Sequence, residues 1–294
     1  MNIALIILAA GKGTRMQSEL PKVLHEVAGA PMLVHAMRAG RALDPKRTII
    51  IAGHGFEAVS AAARTEDPEV EVVRQEAQLG TGHAVDQARA ALSDFDGTVI
   101  VLYGDCPLIQ SRTLEELSAT LSDSAVSVLG FEAKDPARYG RLITDGDKLK
   151  RIVEFKDASP AERAVSLCNS GVMAASAGLL FDLLSEIDAN NASGELYLTD
   201  VIGKAVARGL PCTAVRCAER ETLGVNSRVE LMQAEKEFQN LRRTEALEDG
   251  VTMPAPETVH FSYDTVIGRD TIIEQNVVFG PGGTVESGAQ IRAF

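Results

Sequence analysis

Apolar residues enter this chain in short unbroken runs, separated by stretches in which they recur at helical spacing. The runs Ile3–Ala9, Arg47–Ala52, Val70–Val73 and Thr98–Tyr103 read as strands buried on both faces. The stretches Pro31–Arg41, Phe56–Arg64, Thr81–Leu92 and Thr113–Leu121 read as helices, with Pro31 suited to a first helical position. This alternation predicts an α/β fold, a mixed, mostly parallel sheet with helices on both faces. Ligands of such sheets gather beyond the carboxyl ends of the strands, which here directs attention to Gly11, Gln75 and Asp105.

The second half is richer in strand patterns. Ala125–Glu132 and Ser166–Ala174 read as strands, and Arg141–Thr144 with Lys148–Glu154 as a hairpin closed by Asp145-Gly146. Helices are predicted at Ala177–Ile187 and Tyr197–Arg208, and a strand at Cys212–Arg216. Arg228–Leu247 is a long polar helix with apolar points at Leu231, Ala234, Phe238 and Leu241, read as a spacer that Gly250, Pro254 and Pro256 end. After it the rhythm changes. Phe261, Ile267, Ile273, Phe279, Val285 and Ile291 recur every six residues, the signature of a parallel β-helix. The predicted organisation is therefore a Rossmann-like domain over residues 1–227, a linker helix over 228–250 and the start of a β-helix over 251–294.

Composition narrows the partners. The 294 residues are 45% hydrophobic, enough for a large core, and the net charge of -12 disfavours nucleic acid and anionic membranes. The first apolar run has no basic region before it and is too short to span a bilayer, and the four cysteines lack metal-type spacing. A cytoplasmic protein without membrane insertion is the expectation. Against the acidic background, Lys12, Arg15 and Lys22 form a local cationic cluster.

That cluster follows Leu8-Ala9-Ala10-Gly11, where small residues let the backbone turn and approach a ligand. Free backbone N–H groups beside clustered cations suit a polyphosphate. The spacing is not that of a Walker loop, and Met16 stands where a dinucleotide fingerprint requires its third glycine. Asp105, at the tip of Val101–Gly104, is either a hard oxygen ligand for Mg²⁺ or a turn former beside Pro107. Gln75 can match a base edge, and Gly80-Thr81 either offers backbone contacts or caps the next helix. Tyr139-Gly140-Arg141, Glu154 and Asn169-Ser170-Gly171 offer acidic or uncharged groups fitted to sugar hydroxyls and amides. Asn226 is either a helix cap or a metal ligand. Cys106 reads as a packing residue.

Taken in order, these motifs resemble the bifunctional bacterial N-acetylglucosamine-1-phosphate uridylyltransferase/glucosamine-1-phosphate acetyltransferase family. The resemblance rests on Leu8–Met16, Pro21–Leu24, Gln75…Gln78–Ala84, Tyr103–Asp105, Tyr139–Arg141, Glu154…Lys156–Ala158, Asn169–Gly171, Gly194–Asp200 and Gly224–Asn226. It implies a Mg²⁺-dependent transfer of uridylyl from UTP to N-acetylglucosamine-1-phosphate, giving a cell-wall and lipopolysaccharide precursor. Leu8, Ala9, Ala10, Gly11, Gln75, Gly80 and Thr81 would hold the uridine part, and Arg15 and Lys22 the phosphates. Tyr103, Gly104, Gly140, Glu154 and Asn169 would line the sugar site, and Asp105 and Asn226 would hold Mg²⁺. The same resemblance implies a left-handed β-helix and a homotrimer. With only about two coils of that helix here, a weak oligomer and no acetyl transfer are the expectation. Rival readings are a transferase for another nucleotide or sugar phosphate, and a silent regulatory subunit on the same fold. Arg15, Lys22, Asp105 and Asn226 are all present, which weighs against silence.

Overall fold

The computed structural model describes residues 2–146 and 148–293. Strand Ile3–Ala9 lies between Arg47–Ala52 and Thr98–Tyr103 and is parallel to both, with Leu8 opposite Ile51 on one side and Tyr103 on the other. Its residues alternate between two cores. Ala4, Ile6 and Leu8 pack with Ile49, Val101, Val85, Leu180 and Ile202. Ile3, Leu5 and Ile7 pack with Ile50, Leu102, Leu33, Val59 and Leu114 on the opposite face. A strand covered by helices on both sides has no polar face, which explains the unbroken apolar run. Each fully buried Leu, Ile or Val contributes about 1.5–3 kcal/mol.

The sheet has nine strands, in the order Glu71–Arg74, Arg47–Ala52, Ile3–Ala9, Thr98–Tyr103, Leu167–Ser176, Val126–Glu132, Cys212–Cys217, Lys148–Val153 and Arg141–Asp145. The first four are parallel. Leu167–Ser176 runs antiparallel between Thr98–Tyr103 and Val126–Glu132, so the sheet is mixed. Among the described residues, no helix is long and apolar enough to cross a membrane.

Several element boundaries differ from the sequence reading. Pro31 caps the helix Met32–Arg41 instead of opening it, because its backbone is extended and pairs with Glu26 in a short antiparallel bridge. In the hairpin Asp145 pairs with Lys148, so Asp145 stays in the strand and the turn starts at Gly146, whose φ is +60°. The helix predicted to run from Thr81 to Leu92 ends at Asp86 and continues as turns. The helix expected from Tyr197 begins at Asp200.

Arg228–Glu248 is not a bare spacer. Its Ala234 is buried with Met16, Val27, Met32 and Val225, and the Glu235 carboxylate accepts the Ala28 N–H at 2.6 Å. One turn on, the buried Gln239 amide donates to the Phe261 carbonyl at 2.7 Å and accepts the Phe261 N–H at 2.8 Å. A single side chain thus supplies the strand-like partner that Phe261 lacks. Beyond it, Val266 pairs in parallel with Thr284, and Ile272 with Gln290, each pair one coil of three hexads apart. Phe261, Ile273 and Val277 are buried between the layers, and Phe261 stacks on Phe279 with ring centroids 5.6 Å apart.

Candidate active site

The first strand ends at Ala9 and delivers Ala10 and Gly11 to the sheet's carboxyl edge. The chain then turns through Gly13 at φ +60°, where an added Cβ would stand 2.6 Å from the Lys22 Cβ. Only glycine lets the loop lie this close to Lys22. The loop is held at its far end by the buried Met16, whose carbonyl accepts the Arg228 Nε–H at 3.2 Å. Arg15, between Gly13 and Met16, is exposed.

A second loop follows Glu71–Arg74. The Gln75 side chain is buried and donates to His83 Nδ1 at 2.9 Å and to the Gly80 carbonyl at 3.3 Å. Gln78 donates to the Ala10 carbonyl at 2.6 Å and so ties this loop to the first. Gly80 has φ +117°, and a Cβ there would meet the Leu196 carbonyl at 2.5 Å. That approach allows the Gly82 N–H to bond the Leu196 carbonyl and the Leu196 N–H to bond the Leu79 carbonyl, both at 2.8 Å. Thr81 does not cap its helix. Its hydroxyl accepts the Leu198 N–H at 3.0 Å, and Gly80 is the capping residue.

Asp105 comes from the Thr98–Tyr103 strand and Asn226 from the turn before the long helix. The backbone brings them together, the Val225 N–H donating to the Asp105 carbonyl at 2.9 Å. Asn226 is released from capping duty because Ser227 performs it, its hydroxyl accepting the Glu230 N–H. The Lys22 ammonium donates to the Asp105 carboxylate and, at 2.9 Å, to the Asn226 side-chain oxygen. Lys22 and Asp105 side chains are 12% and 15% exposed, so this is a largely desolvated cluster.

These loops enclose a cavity of about 420 Å³ lined by Leu8 to Gly11, Lys22, Gln75, Gly80, Thr81, Tyr103, Asp105 and Asn226. Arg15 is not in its wall. Gln78 and Glu195 are, and the choice of candidate residues missed both. Gln78 stands three residues after Gln75, inside the motif already singled out. Glu195 lies in the Gly194–Asp200 motif, which the Leu196 contacts bring to this loop.

Gly140, Glu154 and Asn169 form a separate cluster. The Asn169 N–H donates to the Gly140 carbonyl at 2.8 Å, and the Asn169 side-chain oxygen accepts the Gly171 N–H at 3.0 Å. Gly140 lies against the Glu154 carboxylate, which accepts the Thr199 hydroxyl at 3.1 Å. Glu154, Tyr197 and Thr199 line a neighbouring cleft of about 600 Å³. Tyr103 joins the two regions. It lines the first cavity, and its ring lies where a Cβ on Gly171 would be, 2.5 Å away. Gly104 sits beneath, its N–H donating to the Leu8 carbonyl at 3.0 Å.

Burial raises the Glu154 carboxyl above its ordinary range, against the hydrogen bond from Thr199 and with help from Asp200 and Asp157. Burial also pushes the Cys106 thiol well up, with the Asp105 charge adding to it. Among the described residues no group of three or more His, Cys, Asp or Glu is placed to hold a metal. A cation here would have two protein oxygens, those of Asp105 and Asn226, leaving its other positions to water and substrate oxygens. Such a donor set fits Mg²⁺. That both oxygens already converge on one ammonium is the structural observation in favour of the fit.

The model of the MobA-like NTP transferase domain matches residues 5–177. The bifunctional protein GlmU of Roseobacter denitrificans is 60% identical over 294 residues, covering 100% of this chain and 65% of that protein. The bifunctional protein GlmU of Ruegeria pomeroyi is 63% identical over 269 residues, 92% of this chain and 60% of that protein. The chain therefore spans about 60–65% of the length of these curated relatives. Among solved structures, UDP-glucose pyrophosphorylase complexed with UDP-glucose has a TM-score of 0.66 at 17% identity, covering 82% of this chain and 100% of that one. The inositol-1-phosphate CTP transferase of T. maritima has a TM-score of 0.61 at 15% identity, covering 80% of this chain and 96% of that one. These two likenesses show the fold.

Proposed function

This chain belongs to the family of MobA-like NTP transferase domains, and from that premise we propose that it transfers uridylyl from UTP to N-acetylglucosamine-1-phosphate with release of pyrophosphate. The observation that carries the reading is the convergence of Lys22, Asp105 and Asn226 in the wall of the cavity formed by Leu8–Gly11, Gln75 and Gly80-Thr81. A polyphosphate, a cation and a base all find partners within that one space. The choice of uridylyl and of the N-acetylated sugar is supported by the curated relatives, each called bifunctional protein GlmU.

In this reading Leu8 to Gly11 and Gly80-Thr81 offer backbone groups to the uridine, and Gln75 supports the base. Lys22 and Arg15 neutralise the phosphates, Arg15 reaching in from its exposed turn. Asp105 and Asn226 hold Mg²⁺, which when bound polarises the phosphoryl oxygens. Glu154, Asn169, Gly140 and Tyr103-Gly104 receive the sugar. An oxygen of the sugar 1-phosphate attacks the α-phosphorus of UTP, forming the new P–O bond as the bond to the leaving pyrophosphate breaks. The attacking oxygen is already an anion, so no general base is needed, and the residues' work is positioning and neutralisation.

Pyrophosphate release from UTP, CTP, ATP, GTP and TTP, each paired with N-acetylglucosamine-1-phosphate, glucose-1-phosphate and glucosamine-1-phosphate, tests this. The UTP and N-acetylglucosamine-1-phosphate pair should be fastest. A different preferred pair would keep the transferase and overturn the specificity.

A further inference from the structure

Lys22 occupies the position between the Asp105 carboxylate and the Asn226 oxygen that a metal ion held by those two groups would need. We propose that the Lys22 ammonium is the resident counter-ion of this site in the nucleotide-free enzyme, and that a divalent cation enters only by displacing it. This rests on the assignment of Asp105 and Asn226 as metal ligands made above.

The argument is one of space and charge. An ammonium and a divalent cation both seek oxygens, at about 2.9 Å and about 2.1 Å respectively. Two oxygens that converge on one point can satisfy one cation there. The cluster is also largely shielded from water, with Lys22 and Asp105 side chains 12% and 15% exposed, so repulsion between two cations would be poorly screened. The backbones that carry the two oxygens are tied, the Val225 N–H to the Asp105 carbonyl at 2.9 Å and the Asn226 N–H to the Glu230 carboxylate at 2.7 Å. The Lys22 side chain is the movable member. It stands on a short turn, Lys22–Leu24, in the cavity wall, and its four-carbon stem can carry the ammonium from Asp105 towards the phosphates. The cation that neutralises substrate is then released by the cation that enters with it. A nucleotide bringing its own divalent ion would supply both the displacing charge and the new partner for Lys22.

The proposal predicts opposite signs for two effects of one substitution. Lys22→Ala lowers turnover, yet it should raise the affinity of the nucleotide-free protein for Mn²⁺. Mn²⁺ binding is read by electron paramagnetic resonance on the full chain without nucleotide. Lys22→Ala should bind Mn²⁺ at least about tenfold tighter than the parent. Lys12→Ala, which removes an exposed cation between Gly11 and Gly13, should change it less than about twofold. Asp105→Asn should weaken binding in both the parent and the Lys22→Ala backgrounds. In a parallel measurement, acylation of Lys22 read by mass spectrometry should accelerate as Mn²⁺ is added to the parent.

Equal Mn²⁺ affinity in the parent and Lys22→Ala, with Asp105→Asn still weakening it, overturns the displacement and leaves the metal ligands standing. Insensitivity to Asp105→Asn overturns the ligand assignment and the proposal with it. Equal gains from Lys12→Ala and Lys22→Ala would reduce the effect to general charge and also overturn it, as would Lys22 acylation unmoved by Mn²⁺.

Discussion

Lys22→Ala removes the ammonium shared by Asp105 and Asn226 and leaves a desolvated carboxylate without its partner. Turnover should fall by about 10²-fold or more, the scale of one lost preorganised donor, while circular dichroism shows the fold retained. Turnover near that of the parent would remove Lys22 from the chemistry. Glu154 gives a second test. Its carboxyl is raised by burial, so the folded protein holds this proton more tightly than the unfolded chain does. The stability it contributes is complete below the ordinary carboxylate pKa and is lost as pH rises through the raised one. Glu154→Gln keeps the shape without the charge. It should raise the melting temperature at pH 7, leave it unchanged near pH 4, and raise KM for the sugar phosphate more than for UTP. An equal shift at both pH values would show that the charge is not what matters. The residues themselves were largely legible, because glycines, cations and carboxylates at strand ends declare themselves. Each of Asp105 and Asn226 also had a local reading as a turn or cap residue, and the contact with Lys22 that brings them together joins distant parts of the chain.

The long helix shows how an element can be legible in kind and missed in role. Its apolar spacing marked the helix, and Arg228–Glu248 lies within a residue of the predicted span. Polar residues outnumber apolar ones along it, so it read as a spacer. Yet its polar side chains Arg228, Glu235, Gln239, Arg242 and Arg243 are bonded to the backbone of other segments. A polar residue that pairs with buried backbone looks, in sequence, like a solvated one. Gln239→Ala should therefore cost far more than a surface change. It strands the buried N–H and carbonyl of Phe261, each worth about 1–3 kcal/mol when left unpaired. Denaturant unfolding should show a loss of at least about 1–3 kcal/mol, and a loss under 0.5 kcal/mol, the range of ordinary surface substitutions, would contradict this account. Likewise Pro31 and Thr81 carried correct local signals for a helix start, but pairing with Glu26 and bonding to Leu198 moved the boundary or the role.

Across the whole molecule, local repetition was more legible than the order of the strands. The residues of the six-residue period pair one coil apart, Ile267 opposite Val285 and Ile273 opposite Ile291, with Ile273, Ile267 and Ile291 in one apolar cluster. The alternation of the first half likewise gave the parallel strands around Ile3–Ala9. The insertion of Leu167–Ser176 between Thr98–Tyr103 and Val126–Glu132 was not legible, since strand order is a matter of long-range pairing. That insertion matters, because it carries Asn169 and Gly171 up to Tyr103 and so sets the cluster of Gly140, Glu154 and Asn169 beside the cavity that holds Lys22, Asp105 and Asn226. The proposed function requires that ligands of the two regions react with each other. Phosphorus NMR of the protein mixed with UTP, N-acetylglucosamine-1-phosphate and Mg²⁺ reads this directly. The diphosphate resonances of UDP-N-acetylglucosamine and the pyrophosphate resonance should grow in equal amounts, and neither should appear when the sugar phosphate is left out. Pyrophosphate without the sugar nucleotide, or no change in either substrate, would contradict uridylyl transfer by this chain.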